Sequence, residues 1–398
     1  MKKKVLLMLT SFVVVLSIIF TLVSGCTKDT TTPTTPGETT PGGTSPSPTS
    51  PPSEGEVLEW QFNSYHESAN PLIDADYYLA EQVAKLTNGR FTLKIFPAGQ
   101  LTSSTETYNS VRAGAFYIGS GVSETGNADF ALCTSYPFYM TAPDFLNWYF
   151  SGGGRELLDE LHGEYGVKYF PTDVIACDAG FRSHEPITSI ADFKDKKVRA
   201  GSQVIQGMIT DWGGTAMFIA GSEIYEAMQR GIVDMFEFVN PKVDWNLGFN
   251  EISEYWIAPA WYQTFTAYGV TVNLEAWDEL PPDFQAALDA ATQMTIHYMQ
   301  GRQELESAEY TRKWYDYGTN VQRVSDDFFV EIEPYVKKHI EAYAQLSPWA
   351  ARILKSQVDY LKEVNIWKNL QAPFTYGYIL ADEDYAEVQD DWLRPEWR

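Results

Sequence analysis

Cysteine, histidine and positive charge are scarce in this chain of 398 residues. It has three cysteines and five histidines, and 29 Lys and Arg stand against 53 Asp and Glu, a formal net charge of −24. Such an acidic body is repelled by nucleic acid, and neither a basic stripe nor a zinc-ligand spacing occurs, so no nucleic-acid partner is expected. No Gly-x-Ser-x-Gly, His-Glu-x-x-His or Cys/His constellation is present either, so no catalytic motif stands out. The histidines are scattered and are expected at the surface.

The longest hydrophobic run lies at the N-terminus. Lysines at residues 2–4 precede an apolar run over residues 5–23, and Ser24, Gly25 and Cys26 follow. A basic start, an apolar core and small residues are typical of a secretory signal peptide, although the run is also long enough to span a membrane. Small residues directly before Cys26 favour cleavage there and a lipid on that cysteine. Residues 1–25 are therefore predicted to be a signal peptide. The protein is expected outside the cytoplasm, at the cell surface or in the periplasm, anchored to the membrane as a lipoprotein.

Residues 26–55 have almost no apolar side chains and are rich in Thr, Pro, Ser and Gly. A segment of this composition cannot bury enough surface to fold, and its prolines stiffen it into a spacer. It is predicted to be a disordered tether between the lipid and a body of roughly 340 residues, which suits two domains. Of the other cysteines, Cys133 and Cys177 could pair outside the cell, whereas their apolar, strand-like surroundings favour two buried thiols.

Strand and helix patterns alternate along the body, which predicts an α/β fold with a mostly parallel sheet. Residues 58–62 and 91–96 look like strands, and residues 74–86 carry apolar side chains at helical spacing. From residue 281 to residue 317 the pattern is helical without a strong break. At 1.5 Å per residue such a helix is roughly 50 Å long, so it is expected to span two lobes.

Residues 198–239 are predicted to form strand, helix, turn, helix and strand, with Arg199 and Glu237 at the ends of the two strands. A cation and an acid at strand ends over a cleft suit the binding of a small carboxylate. Glu237 interrupts an otherwise apolar strand face, which is costly unless the carboxylate meets a partner or a metal.

An ordered series of short motifs over most of residues 57–365 resembles the solute-binding subunits of tripartite ATP-independent periplasmic (TRAP) transporters. The motifs are IFPAGQL (95–101), VRAG (111–114), IADFK (190–194) with KVR (197–199), EIYEAMQRGIVD (223–234), and Trp277 with Leu280 and Pro281. The branch that binds small keto or hydroxy monocarboxylates, beside groups assigned to mannitol or chloroaromatic acids, is indicated by WY (148–149) with GGG (152–154), FR (181–182), and EFV (237–239) with LGF (247–249).

The resemblance implies an α/β, two-lobe fold like that of periplasmic binding proteins, with hinge strands and a long helix spanning both lobes. The first lobe is expected to comprise residues 56–178 and 266–300, the second residues 179–265 and 301–345, and residues 346–398 the C-terminal helices. It also implies a binding protein, not an enzyme, that closes over an organic acid and delivers it to the transporter's membrane subunits. Some relatives dimerise through C-terminal helices, which makes a homodimer a hypothesis here.

The resemblance assigns Arg199 to the carboxylate clamp. It assigns the Glu237 side chain and the Phe238 backbone carbonyl to a cation, Na⁺ or Ca²⁺, beside the ligand, and implies no catalytic cofactor. The branch's glutamine before the Phe-Arg pair is absent, and Ala176, Cys177 and Asp178 stand there. Asp178 either replaces the glutamine, which favours a divalent cation, or is a turn residue.

Other candidate residues keep two interpretations each. Arg182 is either a second ligand contact or part of a salt bridge at the domain surface. Trp261 and Tyr262 either line the cleft or pack in the core. Tyr65 and Tyr136 are weaker candidates for ligand contacts from the first lobe.

Two other function classes remain as alternatives. A secreted, acidic glycosidase-like hydrolase needs two carboxylates across a cleft, which Glu237 and Asp178 would supply. A binding lipoprotein of an ATP-driven sugar transporter would have a similar body, but the long helix favours the TRAP interpretation.

Overall fold

The computed structural model describes residues 57–122, 127–130, 132–133 and 140–371. The chain divides into two units, Met1–Pro51 and Pro52–Arg398, and the described residues belong to the second. The predicted signal peptide and tether with Cys26, and also Tyr136 and residues 372–398, lie outside the described residues.

Strands and helices alternate along most of the described chain. The strands are β1 (Leu58–Asn63), β2 (Phe91–Phe96), β3 (Ile118–Gly121), β4 (Val167–Ile175), β5 (Phe181–Ser183), β6 (Lys197–Arg199), β7 (Thr215–Met217), β8 (Met235–Glu237), β9 (Tyr255–Ala258), β10 (Thr266–Asn273) and β11 (Asn320–Arg323). The helices are α1 (Asp74–Leu86), α2 (Thr107–Arg112), α3 (Ala142–Ser151), α4 (Gly154–Glu164), α5 (Gln203–Asp211), α6 (Gly221–Gln229), α7 (Pro241–Asn246), α8 (Leu274–Glu279), α9 (Pro282–Tyr317), α10 (Asp326–Ala344) and α11 (Pro348–Gln371).

The strands form two sheets, with the orders β2-β1-β3-β10-β4 and β11-β9-β5-β8-β6-β7. The chain leaves the first sheet after β4 and returns to it with β10, so the segments between β4 and β5 and between β9 and β10 connect the sheets. Both sheets are mixed, which corrects the expectation of a mostly parallel sheet. In the first, β10 runs antiparallel to β3 and β4, and in the second, β5 runs antiparallel to β8 and β9.

The first connecting segment requires a glycine. Gly180 has a φ of +112°, and a Cβ there would lie 1.9 Å from the Ile257 carbonyl oxygen. A side chain at this position would therefore collide with the backbone of β9. The segment is also held by its neighbours, because the Asp178 N–H donates to the Gln263 carbonyl at 3.1 Å.

Helix α9 joins the two halves. It has 36 residues, continues through Gly301, and packs against α1 and β4 on the side of the first sheet and against α7 and β11 on the side of the second. The C-terminal helices add a second connection, because α10 packs on α5 and on α11, and α11 packs on α4 and α3. This arrangement confirms the expected α/β, two-lobe architecture with a long helix spanning both lobes.

The hydrophobic core has several parts. One part, including Trp60 and Leu288, lies at the first sheet, and another, including Phe236 and Trp314, lies at the second. The largest includes residues of the C-terminal helices. A small cluster joins residues on the side of the first sheet to residues on the side of the second, and its members are Leu72, Ile175, Val239 and Val243.

Some local expectations were wrong. Strand β3, with the sequence IGSG, was not predicted because it lacks the alternation that marks a strand, and Ala128–Phe130 is a 3₁₀ turn. No disulfide joins Cys133 and Cys177, and Cys177 is exposed because β4 ends before it. His66 and His162 are buried, contrary to the surface expectation. Within the described ranges, no helix combines the length and apolarity needed to cross a membrane.

Candidate ligand-binding cleft

Arg199 lies at the end of β6 and is almost completely buried. Its Nη1 donates to the Glu237 backbone carbonyl at 2.6 Å and to Glu237 Oε1 at 2.8 Å, and its Nε donates to the Ile219 carbonyl at 3.0 Å. Among the described residues, Nη2 has no hydrogen-bond partner. One nitrogen of the fork therefore remains for an anion, while Glu237 already occupies the other.

Glu237 ends β8, which pairs with β6 in parallel. Its Oε1 also accepts a hydrogen bond from the Gly201 N–H. Burial raises the pKa of Glu237, and the charge of Arg199 and the Gly201 hydrogen bond act in the opposite direction. Glu237 was expected to need a partner because it interrupts an apolar strand face, and Arg199 is that partner.

Two phenylalanine rings flank the Arg199 guanidinium. Its central carbon lies 5.3 Å from the ring centroid of Phe238 and 5.7 Å from that of Phe218, which is 56% exposed. Phe238 fits closely, because a Cβ on Gly221 would lie 2.5 Å from its ring. The rings shield the cation and leave an aromatic surface beside the free Nη2.

Asp178 is a buried carboxyl group in the segment between the sheets, and its Oδ1 has no hydrogen-bond partner among the described residues. Burial raises the pKa of Asp178 well above its usual value, and the charges of Glu237 and Asp244 raise it further. The Tyr262 hydroxyl is likewise buried without a described partner, and its pKa is raised by burial and by the charges of Glu237 and Asp178. Unsatisfied oxygens therefore gather beside Glu237.

Arg182 takes part in a buried ion pair, which corrects the expectation of a salt bridge at the domain surface. Its Nη2 lies 2.8 Å from Asp244 Oδ2, and both side chains are fully buried. The N–H bonds are poorly aligned with the carboxylate, so the contact is ionic and not a well-formed hydrogen bond. The guanidinium carbon lies 4.4 Å from the Trp256 ring and 4.6 Å from the Trp314 ring. These aromatic and ionic contacts occupy Arg182 in the second sheet's core.

Trp261 and Tyr262 occupy different environments although they are adjacent. The Trp261 ring packs in the core at 5.7 Å from Trp212 and 5.9 Å from Phe328. The Tyr262 ring centroid lies 4.8 Å from that of Phe181, while the charges of Glu237 and Asp178 raise the pKa of the Tyr262 hydroxyl. The structure therefore brings Tyr262, and not Trp261, into the region of the Glu237 and Asp178 carboxyl groups.

The side of the first sheet contributes three rings. Tyr65 follows β1, and the rings of Tyr65, His66 and Tyr268 lie 5.2 to 6.0 Å apart. Burial raises the pKa of both tyrosines, and the charge of Arg199 acts in the opposite direction on both, so the two hydroxyls lie within electrostatic range of that guanidinium. These three residues are called the aromatic wall below.

Tyr268 and His66 were not predicted as site residues. Tyr268 lies at a register shift in β10, and strand alternation alone does not report such a shift. The sequence signal that could have identified His66 was its position directly after Tyr65, which was a candidate. No group of three or more His, Cys, Asp or Glu suited to a metal ion occurs among the described residues.

Comparison with known proteins identifies the family. The model of the DctP family, described as bacterial extracellular solute-binding protein family 7, matches residues 62–345. The chain belongs to this family. The resemblance to TRAP solute-binding subunits is therefore confirmed, and so is a location outside the cytoplasm. The comparisons give no support to the hydrolase alternative or to the ATP-driven sugar transporter alternative.

A relative in Nostoc sp. (strain PCC 7120) is described as a monocarboxylate 2-oxoacid-binding periplasmic protein. It is 30% identical over 248 residues, which are 59% of this chain and 65% of the relative, slightly less than two thirds of its length. Two TRAP periplasmic solute-binding proteins of known structure are also similar. The Pseudoalteromonas atlantica protein, with bound sodium and pyruvate, has a TM-score of 0.74 and 25% identity, covering 79% of this chain and 97% of that chain. The Colwellia psychrerythraea protein, with bound calcium and pyruvate, has a TM-score of 0.74 and 26% identity, with the same coverage.

Proposed function

We propose that this DctP-family member is the extracytoplasmic receptor of a TRAP transporter for a small 2-oxo or hydroxy monocarboxylate. The observation that carries the proposal is the free Nη2 of Arg199 beside the Glu237 carboxylate. A planar guanidinium is well suited to a carboxylate, which would bind at Nη2 beside Phe218 and Phe238. The DctP-family relatives reported above, which bind 2-oxoacids or pyruvate, support the same ligand class.

A cation beside the ligand fits the side chains that are present. Asp178 Oδ1 and the Tyr262 hydroxyl are buried without described partners, and Glu237 lies close enough for its charge to raise the pKa of both groups. With the Phe238 carbonyl, these are the hard oxygen donors that Na⁺ and Ca²⁺ prefer. A bound cation would offset the carboxylate charges and attract the anionic ligand. Glu237, Asp178, Tyr262 and Phe238 are therefore the proposed cation contacts, and Arg182 is proposed to support this region through Asp244.

The proposed lobes are residues 56–178 with 266–300 and residues 179–265 with 301–345. Ligand contacts made only when the lobes meet would favour the closed form, which would then dock on the membrane subunits. Tyr65 is the proposed contact from the first lobe. The proposal also includes a signal peptide over residues 1–25, a lipid on Cys26 and a tether up to residue 55. It further includes a homodimer through the C-terminal helices, which light scattering would test.

A thermal-shift screen of the purified protein tests this function. The compounds are pyruvate, lactate, 2-oxobutyrate, branched 2-oxo acids, mannitol and C4-dicarboxylates, each with Na⁺, Ca²⁺ or EDTA. A ligand at 100 times its Kd stabilises the native state by about 2.7 kcal/mol, so a true ligand raises Tm measurably. The expected result is a rise with 2-oxo or hydroxy monocarboxylates that depends on the cation. A rise in Tm with mannitol alone would reject the proposal, and so would the absence of a rise with any of the acids.

A further inference from the structure

Two buried acids that have no role in the site described above are connected to the aromatic wall. Two of its members, Tyr65 and Tyr268, carry hydroxyls within the electrostatic range of Arg199, and His66 packs against both of their rings. Asp76 lies on α1 and Asp173 on β4, and both carboxyl groups are buried. Neither acid has a salt bridge to a described Lys, Arg or His, although buried acids usually need a partner.

Asp76 supports the part of the wall that follows β1. The Tyr65 backbone N–H donates to Ser120 Oγ at 3.0 Å, and Ser120 Oγ donates to Asp76 Oδ2 at 2.7 Å. The His66 backbone N–H donates to Ser64 Oγ at 3.0 Å, and the Ser64 hydroxyl lies close enough to Asp76 to lower the pKa of that carboxyl group. The Tyr65 backbone is therefore connected to Asp76 through the Ser120 hydroxyl, and the His66 backbone bonds to the Ser64 hydroxyl, which lies near the same carboxyl group.

Asp173 supports the other part. It lies opposite Tyr268 in the β4–β10 ladder, at the register shift between Tyr268 and Gly269. Gln303 of α9 donates to both of its carboxyl oxygens, each at 3.0 Å. The position of Tyr268 is thereby connected to the helix that spans both lobes.

We propose that Asp76 and Asp173 are positioning residues for ligand binding, which hold the aromatic wall against the Arg199 site and make ligand affinity depend on their protonation. The proposal rests on the proposed function of that site. Each acid acts through other residues: Asp76 through Ser64 and Ser120, and Asp173 through its pairing with Tyr268.

The protonation of both acids changes near neutral pH. Burial raises the pKa of Asp76 to about 7 against the effect of its serine hydrogen bonds, and burial and the charge of Asp76 raise that of Asp173 to about 7. The groups that face them are Ser64 and His66 after β1, Ser120 on β3, Tyr268 on β10 and Gln303 on α9. None of these is a cation at neutral pH, because burial lowers the pKa of His66 to about 3.

Raising the pH through 7 therefore adds negative charge behind a site that binds an anion. Charges in a poorly solvated region interact more strongly than in water, so ligand affinity is expected to fall. Asparagine in place of either acid keeps the shape and some hydrogen bonds but cannot ionise.

The test is calorimetric titration of the purified protein with pyruvate, 2-oxobutyrate and lactate between pH 5.5 and pH 8.5. We expect the wild-type affinity to fall about tenfold over this range, and the fall to be smaller in Asp76→Asn and Asp173→Asn. Asp76→Ala should lose about tenfold or more at every pH, because the Ser120 hydroxyl, which binds the Tyr65 backbone, loses its acceptor. Asp289→Asn is the matched control, since Asp289 lies on the same helix as Gln303, forms a half-buried ion pair with Arg155, and should retain the wild-type profile.

The outcomes separate this inference from the function on which it rests. Wild-type binding with an unchanged pH profile in both asparagine variants, melting normally, would overturn the inference and leave the proposed function intact. Failure of the wild type to bind any of the three acids would overturn both. A flattened profile in the asparagine variants, with Tm near that of the wild type, would support a positioning role over a purely structural one.

Discussion

Arg199 and Glu237, which are 38 residues apart in the chain, are joined through a single guanidinium nitrogen: Nη1 reaches the Glu237 carboxylate at 2.8 Å and its backbone carbonyl at 2.6 Å. The other terminal nitrogen, Nη2, remains available. Glu237 orients the Arg199 guanidinium and at the same time leaves one of its terminal nitrogens available to a ligand. Under the proposed function, this design would let a strongly acidic protein bind an anion without a surplus of positive charge.

Replacing Arg199 tests the clamp. Arg199→Lys keeps a charge but not the planar fork, so we expect pyruvate affinity to fall roughly 10- to 100-fold, the range for charge-assisted hydrogen bonds of about 1.5–3 kcal/mol. Titration calorimetry measures the loss. Arg230→Lys, at an exposed pair with Glu226, is the control and should bind normally. Unchanged affinity in Arg199→Lys would contradict the assignment.

Replacing Asp178 tests the cation contacts. Asp178→Asn removes a charge but keeps an oxygen, so we expect weaker Ca²⁺ binding and a smaller loss of Na⁺ binding. Terbium luminescence sensitised by nearby aromatic rings reports the ion directly, before any acid is added. Equal terbium affinity in wild type and variant would remove Asp178 from the site. EDTA treatment of the wild type should abolish only a divalent contribution.

The buried pair of Arg182 and Asp244 is expected to matter for stability. Arg182→Met leaves the Asp244 carboxyl group buried without its cation, which should lower the free energy of unfolding by about 3–5 kcal/mol. The double variant with Asp244→Leu should recover much of the loss, because it removes both charges. Urea denaturation provides the values. A double variant no more stable than Arg182→Met would show that the pair does not account for the loss.

Stability without ligand should depend on pH through Asp76. Its pKa is about 7 in the folded protein, above the value of 3.8 in an unfolded chain, so the folded state binds more protons between these values. The resulting stability is fully present below pH 3.8 and is lost as pH rises through 7. Thermal melts at pH 5 and pH 8 should therefore differ less in Asp76→Asn than in the wild type. Equal differences in the two proteins would contradict this assignment.

Gly180 tests the segment that connects the sheets. Gly180→Ala forces a Cβ to within 1.9 Å of the Ile257 carbonyl at a positive φ, so a marked fall in Tm is expected. Gly163→Ala is the control, because this residue lies in α4 with no atom within 4 Å of a new Cβ. The control should be neutral or slightly stabilising, by about 0.5–1 kcal/mol. A normal Tm for Gly180→Ala would show that the segment can relax.

Much of the fold could be predicted from local patterns. Helix α1 has the predicted bounds, and α9 has the predicted length, because apolar spacing directly reports which face of a helix is buried. The mixed sheets could not be predicted in this way, since strand direction depends on how the chain returns from one lobe to the other. Strand β3 was missed because a short glycine-rich strand carries little pattern.

The sequence by itself determined the acidic character of the protein, the alternation of its elements, and the placement of Arg199 and Glu237 at strand ends, since each of these is a property of neighbouring residues. Only the tertiary structure decided which side chains meet. It brought the Tyr262 hydroxyl to the carboxylates and sent Trp261 to the core, paired Arg182 with Asp244, and added His66 and Tyr268 to the cleft. These outcomes depend on contacts between residues far apart in the chain, whose burial and charge no local pattern records.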